Sequence, residues 1–305
     1  FFLQKIDVEL CGYSIKQFGE KIKKEIAMFK EKDTVCIVSC SDGMLPENQG
    51  KIEELKKVFY QMGLQVLESP YLYRKDALAA SPARRGEYLM SCYENEQVKA
   101  IFDVSGGNLA NQILEFLDFE TIKKSGVQFW GYSDLTVVLN ALYTKAGKSS
   151  WLYQVRNLVG RDGEDQRRRF QGEREQFLPD DWKLLAGSRM EGILVGGNIR
   201  CFLKLAGTPY FPDLEGKLLF LESFGGGEGV IVSLLTQLQQ MGAFDKIGGL
   251  LLGTFTELDE KEGREKIEEL VLSLRGERKF PVARTSQVGH GADSRGLPIG
   301  SIYKV

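Results

Sequence analysis

A two-domain α/β fold, with a mostly parallel sheet in its first half, is what this sequence predicts, and three observations predict it. Short β-rich runs alternate with helical stretches from Val35 onward, an alternation that demands crossover connections. The chain has 305 residues, more than one hydrophobic core usually serves, since single cores stop growing at about 250–300 residues. With 43% apolar and 27% charged residues it has the composition of a folded chain that can fill a core in each half.

Taken in order, Ile15, Phe18, Ile22, Ile26 and Phe29 recur at helical spacing among Lys and Glu, so residues 15–29 read as an amphipathic helix. Residues 35–39 (VCIVS) are a short strand, 49–62 a helix and 64–67 a second strand. Residues 84–93 read as helix, 98–104 (VKAIFDV) as a buried strand running into Ser105-Gly106-Gly107, and 111–117 as helix. Another strand at 127–131 (VQFWG) leads to a helix at 134–145. From Gly160 to Asp181 the pattern lapses into charged, aliphatic-poor sequence. The linker is therefore set at residues 160–183, between a first domain at 1–159 and a second at 184–305. Beyond it come strands at 192–195, 217–221 and 248–253 and helices at 231–241 and about 261–275. Their short strands and many glycines leave the order of the second sheet open.

Forty Lys and Arg are balanced by 42 Asp and Glu, a net charge of −2, and the two signs are interspersed. Nothing here attracts nucleic acid or anionic lipid. The longest nearly apolar stretch, residues 247–255, is far short of the roughly 20 that a membrane-spanning helix needs. The initial FFLQKIDVELCGYS is broken by Lys5, Asp7 and Glu9, unlike the hydrophobic region of a secretory signal. Cys11, Cys36, Cys40, Cys92 and Cys201 are irregularly spaced with no CxxC pair, and there is a single histidine. That argues for reduced, buried thiols, a cytoplasmic location, and no zinc site.

Ligands of open parallel sheets sit beyond the carboxyl ends of strands, so the residues directly after each strand are the candidates for chemistry. The first is Ser133, where Gly131-Tyr132-Ser133-Asp134 turns from strand to helix. A hydroxyl there is pushed out of the turn beside free helix N–H groups, as in a nucleophile elbow, although the G-x-S-x-G spacing is absent. The alternative is that Ser133 or Asp134 caps the helix. The second is His290, flanked by Gly289 and Gly291, the only side chain here whose unperturbed pKa suits a neutral-pH base. The third is Glu222, directly after a buried strand and before a glycine run, with Glu228 as its local rival. Serine is a weak nucleophile until imidazole takes its proton and a carboxylate orients that imidazole, which makes Ser133, His290 and Glu222 a coherent set. Ser105-Gly106-Gly107-Asn108 can add a bare N–H to the same oxyanion that the N–H of Asp134 meets, or else be a phosphate-binding turn.

Several motifs in this order resemble the LD-carboxypeptidases of bacterial cell-wall recycling and the related microcin C self-immunity carboxypeptidases, over residues 35–300. They are Ala80-Ser81-Pro82 with Arg84 or Arg85, Val98-Lys99-Ala100-Ile101-Phe102 leading to Gly106-Gly107, and Gly131-Tyr132-Ser133-Asp134-Leu135-Thr136. The second half adds Leu194-Val195-Gly196-Gly197-Asn198, Gly207-Thr208-Pro209-Tyr210, Leu219-Phe220-Leu221-Glu222 and Gly289-His290-Gly291. The resemblance implies a flavodoxin-like or Rossmann-like N-terminal domain and a smaller, β-rich C-terminal domain, commonly as a homodimer. It implies a serine peptidase needing no cofactor, with Ser133 as nucleophile, His290 as base then acid, Glu222 as orienter, and the N–H groups of Gly107 and Asp134 as oxyanion hole. The implied reaction removes a terminal D-alanine from murein tetrapeptides. The chain departs from the family at Ser105, at Asn108-Leu109-Ala110, and at Trp151-Leu152-Tyr153-Gln154, where a His-Gly-Pro type segment is usual. Gly106, Asn108, Trp151 and Gly291 are thus candidate substrate-binding residues. In the microcin-immunity alternative, which cleaves an aminoacyl-nucleotide amide, Trp151, Tyr153 or Phe224 would stack on the base. A reading of another class is a non-catalytic two-lobed small-molecule-binding protein.

Overall fold

The computed structural model describes residues 29–74, 78–172 and 174–305. The helix expected at 15–29, apart from Phe29, and Cys11 lie outside the described residues. Five strands of the first sheet are parallel: β1 (Thr34–Val38), β2 (Gln65–Glu68), β3 (Val98–Asp103), β4 (Gln128–Gly131) and β5 (Ser150–Leu152). Their spatial order, β2-β1-β3-β4-β5, is the flavodoxin-like one, with its reversal between β1 and β3. Both faces of β1 are buried because successive side chains point opposite ways. Val35 and Ile37 pack with Ile52, Leu55 and Phe59 of the helix Gln49–Gln61, while Cys36 and Val38 pack with Leu89 and Cys92 of the helix Pro82–Glu94. Cys36, Cys40, Cys92 and Cys201 are buried free thiols. Burial pushes the Cys201 thiol up to about 12, so it behaves as an apolar side chain.

The remaining strands are β6 (Lys183–Ala186), β7 (Glu191–Asn198), β8 (Leu218–Ser223), β9 (Gly249–Phe255), β10 (Val282–Arg284), β11 (Leu297–Ile299) and β12 (Ile302–Lys304). All but β11 form a second sheet in the order β12-β7-β8-β9-β10-β6. Its four inner strands are parallel, and β12 and β6 run antiparallel at its edges. β11 instead crosses back to pair antiparallel with β5, with Leu297 opposite Leu152. The second domain expected at 184–305 is therefore not self-contained. A strand edge left open at β5 presents unpaired N–H and C=O groups, and β11 covers it.

Three local expectations also change. The supposed linker contains helices at Gly163–Gln171 and Arg174–Phe177, whose Phe170 and Phe177 are fully buried against Trp130 and Tyr153. Its buried side is made of a few aromatics and Gln166, which hydrogen-bonds Tyr153, instead of periodic aliphatics, so no helical pattern showed. The helix expected at 111–117 is a tighter 3-10 helix, Ala110–Phe116, whose start is claimed by bonds from elsewhere, Ala110 N–H donating to Asp134. The charged helix expected at about 261–275 runs only over Glu265–Arg275, and Gly263, which takes φ +89°, separates it from a helix at Thr256–Glu262.

The two lobes share one apolar cluster that runs from β1 and β3 through Val138 and Leu142 to Leu194, Leu218 and Phe220. Within that seam the buried Asn140, on the helix Thr136–Ala146, bonds both backbone groups of Gly196 in β7, at 2.8 and 2.9 Å. Thr136 Oγ1 accepts the N–H of Asn198 at 3.0 Å. Satisfied polar groups in a dry interface are geometrically exacting, so this helix is fixed in register against β7 and β8. That matters because Ser133 precedes this helix and Glu222 lies in β8.

Candidate active site

β4 ends at Gly131, and Ser133 opens a 3-10 turn (Ser133–Leu135) that runs directly into the helix Thr136–Ala146. Ser133 takes φ +55°, a left-handed conformation that costs a non-glycine residue about 1–3 kcal/mol and persists only where surroundings impose it. The imposition is visible. Leu135 N–H donates to Tyr132 C=O at 3.0 Å, and the following residue, Asp134, is fully buried and clamped. Its carboxylate accepts from Ser41 Oγ at 2.6 Å and from Ala110 N–H at 2.8 Å, and it pairs with Lys204 from the other lobe. The capping alternative fails, because Asp134 faces these partners and neither helix start carries a side-chain cap bond.

Burial alone would push the Asp134 carboxyl up. The hydrogen bonds from Lys204, Ser41 and Ala110, with the charge of Lys204, outweigh it and hold the group below the usual carboxylate range. The stability it contributes is thus present above the ordinary carboxylate value and lost as pH falls through the lower folded one. Lys204→Met is expected to lower stability by about 3–5 kcal/mol at pH 7, since it strands a buried charge. Its deficit against wild type should shrink in acid, where a protonated Asp134 needs no cation. Denaturant midpoints between pH 7 and pH 4 check this, and a deficit that stays constant would contradict it.

Glu222, fully buried near the carboxyl end of β8, meets His290: Nδ1 lies 2.8 Å from Oε2. Tyr132 donates its hydroxyl to the same oxygen at 3.1 Å and sits 3.4 Å from Nδ1. A carboxylate only accepts, so Nδ1 carries the proton and Nε2 is left as the basic nitrogen. Tyr132 also packs edge-on against the imidazole, with centroids 4.8 Å apart, and Phe224 lies over it at 4.9 Å. Burial first, then the charge of Glu222 and the bond to it, push the Tyr132 phenol well up, so it remains a donor. The histidine loop needs glycine at 289: a Cβ there would fall 1.6 Å from Thr254 Oγ1. That close approach, with Thr254 N–H bonded to Val288 C=O at 2.9 Å, presses the loop onto the end of β9.

Gly107 takes φ +131°, and a Cβ on it would overlap the Asp42 carboxylate at 2.2–2.5 Å. Asp42 Oδ1 accepts the N–H groups of Asn108 and Leu109, at 2.9 and 3.1 Å, which shapes the turn after β3. Arg85, a buried cation, donates to the carbonyls of Cys40 and Ser41 at 2.5 and 2.8 Å and thereby ties that turn to the one after β1. Gly106 has open space at its Cα. Asn108 has its carboxamide oxygen taken by Arg200 at 2.7 Å and its carbonyl by Lys204 at 2.8 Å, so it anchors the turn across the seam. Gly291 is exposed beside His290, and its carbonyl accepts from Asn157 at 3.3 Å.

Trp151 is a correction. It is buried in the core, stacked on Trp130 with centroids 4.9 Å and planes 12° apart, and it does not line the cavity at His290. Position 151 lies within β5, so its side chain points into the sheet's packed face and not past the strand end. Tyr153 is buried too, whereas Phe224 is 59% exposed. Glu228, the rival acid, pairs with Lys266 at 2.8 Å. Sequence reasoning gave no role to Tyr132, Asp42 and Lys204. Asp42 had a signal, as an acid just past a buried strand, and the other two had none beyond residue type.

Among the described residues no helix is long and apolar enough to cross a membrane. Residues 35–153 match the LD-carboxypeptidase N-terminal domain and residues 191–305 the LD-carboxypeptidase C-terminal domain. The chain belongs to the LD-carboxypeptidase family. It is accordingly a serine peptidase-type hydrolase, which removes the non-catalytic binding-protein reading. The murein tetrapeptide carboxypeptidase of Pseudomonas aeruginosa is 28% identical over 81% of this chain and 83% of its own length. The muramoyltetrapeptide carboxypeptidase of Oxalobacter formigenes superposes with a TM-score of 0.75 at 26% identity, covering 89% of this chain and 94% of that one. A microcin C7 self-immunity protein solved with aspartyl sulfamoyl adenosine superposes with a TM-score of 0.79 at 18% identity, covering 92% and 94%. These likenesses support the two-domain α/β fold with its mostly parallel sheets.

Proposed function

We propose that this LD-carboxypeptidase releases a C-terminal D-amino acid from a small murein-type peptide, cutting the amide between an L and a D centre through an acyl-enzyme. The observation that carries the reading is the 2.8 Å contact of His290 Nδ1 with the buried Glu222, to which the hydroxyl of Tyr132, the residue before the left-handed Ser133, also bonds. Ser133 Oγ attacks the scissile carbonyl carbon while His290 Nε2 takes its proton. Glu222 holds the tautomer and supports the imidazolium. The N–H groups of Gly107 and Asp134 receive the oxyanion of the tetrahedral intermediate. Its collapse breaks the C–N bond as His290 returns the proton to the departing amine, and water then hydrolyses the serine ester by the reverse roles.

One observation favours a second reading. Phe224 is exposed and lies over His290, a platform on which a nucleobase would stack, as an aminoacyl-nucleotide amide requires. A single preparation given a murein tetrapeptide and, separately, aspartyl sulfamoyl adenosine decides between them. Release of D-alanine from the peptide, with the nucleotide amide cleaved at least about tenfold more slowly in kcat/KM, is the expected result. The opposite ranking would replace the first reading with the second.

A further inference from the structure

A cavity of about 280 Å³ opens beside Tyr132 and His290, and its wall holds Lys51, Gln154, Arg156 and Asn157 but, among the described residues, no carboxylate. Arg156 is half-buried on the 3-10 turn Val155–Val159 that follows β5. Its Nε donates to Gln154 Oε1 at 3.2 Å, a neutral acceptor, and no ion pair to its guanidinium is found among the described residues. Burial weakens its hold on the proton, only partly offset by the charge of Asp103, yet a guanidinium stays charged. A desolvated cation without an anion is costly, and the cost is recovered when a ligand brings one.

The placement is consistent with that ligand being the substrate. β5 lies beside β4, with Leu152 opposite Gly131 and Tyr153 N–H on Gly131 C=O at 2.9 Å. Ser133 and Arg156 therefore follow neighbouring parallel strands at the same sheet edge, about 4.8 Å apart in strand spacing. Asn157 donates to Gly291 C=O at 3.3 Å, tying the arginine turn to the histidine loop. In a peptide cut before its last residue, only the amide nitrogen and one Cα separate the attacked carbonyl from the terminal carboxylate. A carboxylate held by a guanidinium fork next to His290 would place the departing nitrogen where the imidazole returns its proton.

We infer that Arg156, assisted by Lys51, binds the free α-carboxylate of the departing residue and so restricts this enzyme to peptides ending one residue past the scissile bond. The inference rests on the peptidase reading above.

The test uses the full chain carrying Ser133→Ala, which holds substrate without turnover, and a murein tetrapeptide offered as the free acid and as its C-terminal carboxamide. Calorimetric titration should give the acid about 10²-fold tighter binding, the worth of charge-assisted hydrogen bonds. Adding Arg156→Gln should bring the acid to the affinity of the carboxamide and leave the carboxamide unchanged, and Arg156→Lys should recover part of the preference. Thermal unfolding of each variant identifies any that fails to fold, and the lysine variant then carries the comparison. Equal affinities for acid and carboxamide, a preference that survives Arg156→Gln, or no measurable binding of the acid would overturn the subsite. Loss of the peptidase reading looks different: the Ser133-containing enzyme releases no D-alanine while the acid preference and its dependence on Arg156 remain.

Discussion

Ser133→Ala is expected to lose peptide hydrolysis by about 10⁵-fold or more in kcat and to escape labelling by a fluorophosphonate that modifies the wild-type chain. The size follows from the proposed role: without the hydroxyl the proposed acyl-enzyme cannot form, and only oxyanion stabilisation and binding remain to lift the rate above that in water. Stability should barely change, because among the described residues no side-chain hydrogen bond of Ser133 enters the seam, where Asn140, Thr136 and Asp134 make the connections. Ser133→Gly adds a second reading of the same turn. At φ +55° glycine is unstrained, so this inactive variant should unfold later than wild type, by about 1 kcal/mol in denaturant titration. A nucleophile held in strain predicts both outcomes together; a structural serine predicts neither. Retention of more than a hundredth of the wild-type rate in Ser133→Ala would remove it as nucleophile.

Glu222→Gln is the second large effect, with kcat expected to fall about 10³–10⁴-fold and KM to stay nearly constant. A carboxamide either turns its NH₂ toward His290 Nδ1, which moves the ring proton to Nε2 and removes the base, or presents a neutral oxygen that cannot support an imidazolium. Where the oxygen stays, Tyr132 still donates to it; where the NH₂ takes its place, the Tyr132 hydroxyl accepts instead, and in both cases its edge-on packing, with centroids 4.8 Å apart, keeps the ring in place, so the loss falls on proton transfer and not on substrate binding. Glu222 is fully buried and its Oε1 has no partner among the described residues. A neutral side chain is cheaper to bury there, and thermal unfolding of Glu222→Gln should come no earlier than wild type. Low activity in a stable protein separates an orienting carboxylate from a merely structural one. An early-melting variant with near-normal turnover would sink the assignment.

Periodicity made the parallel sheet legible because its strands are buried on both faces and appear as continuous apolar runs such as VCIVS and VKAIFDV. Position after a strand singled out Ser133 and Glu222, for the same reason that α/β ligands sit there, and His290 stood out as the single histidine, between two glycines. Departure from the family pattern misled at Trp151, since such a departure looks the same whether the side chain faces a ligand or Trp130. Composition misled at 163–177, where Phe170 and Phe177 bury a charged segment that carries no aliphatic period.

What the residues determine alone is local: which stretches form strands, which turns require glycine, and which side chains can move a proton near neutral pH. The return of β11 to β5, the pairing of Lys204 with Asp134, and the convergence of Tyr132, Glu222 and His290 were decided by tertiary structure. Each joins groups far apart in the chain, and a contact of that kind depends on how sheets stack and seams close, for which no sequence period exists.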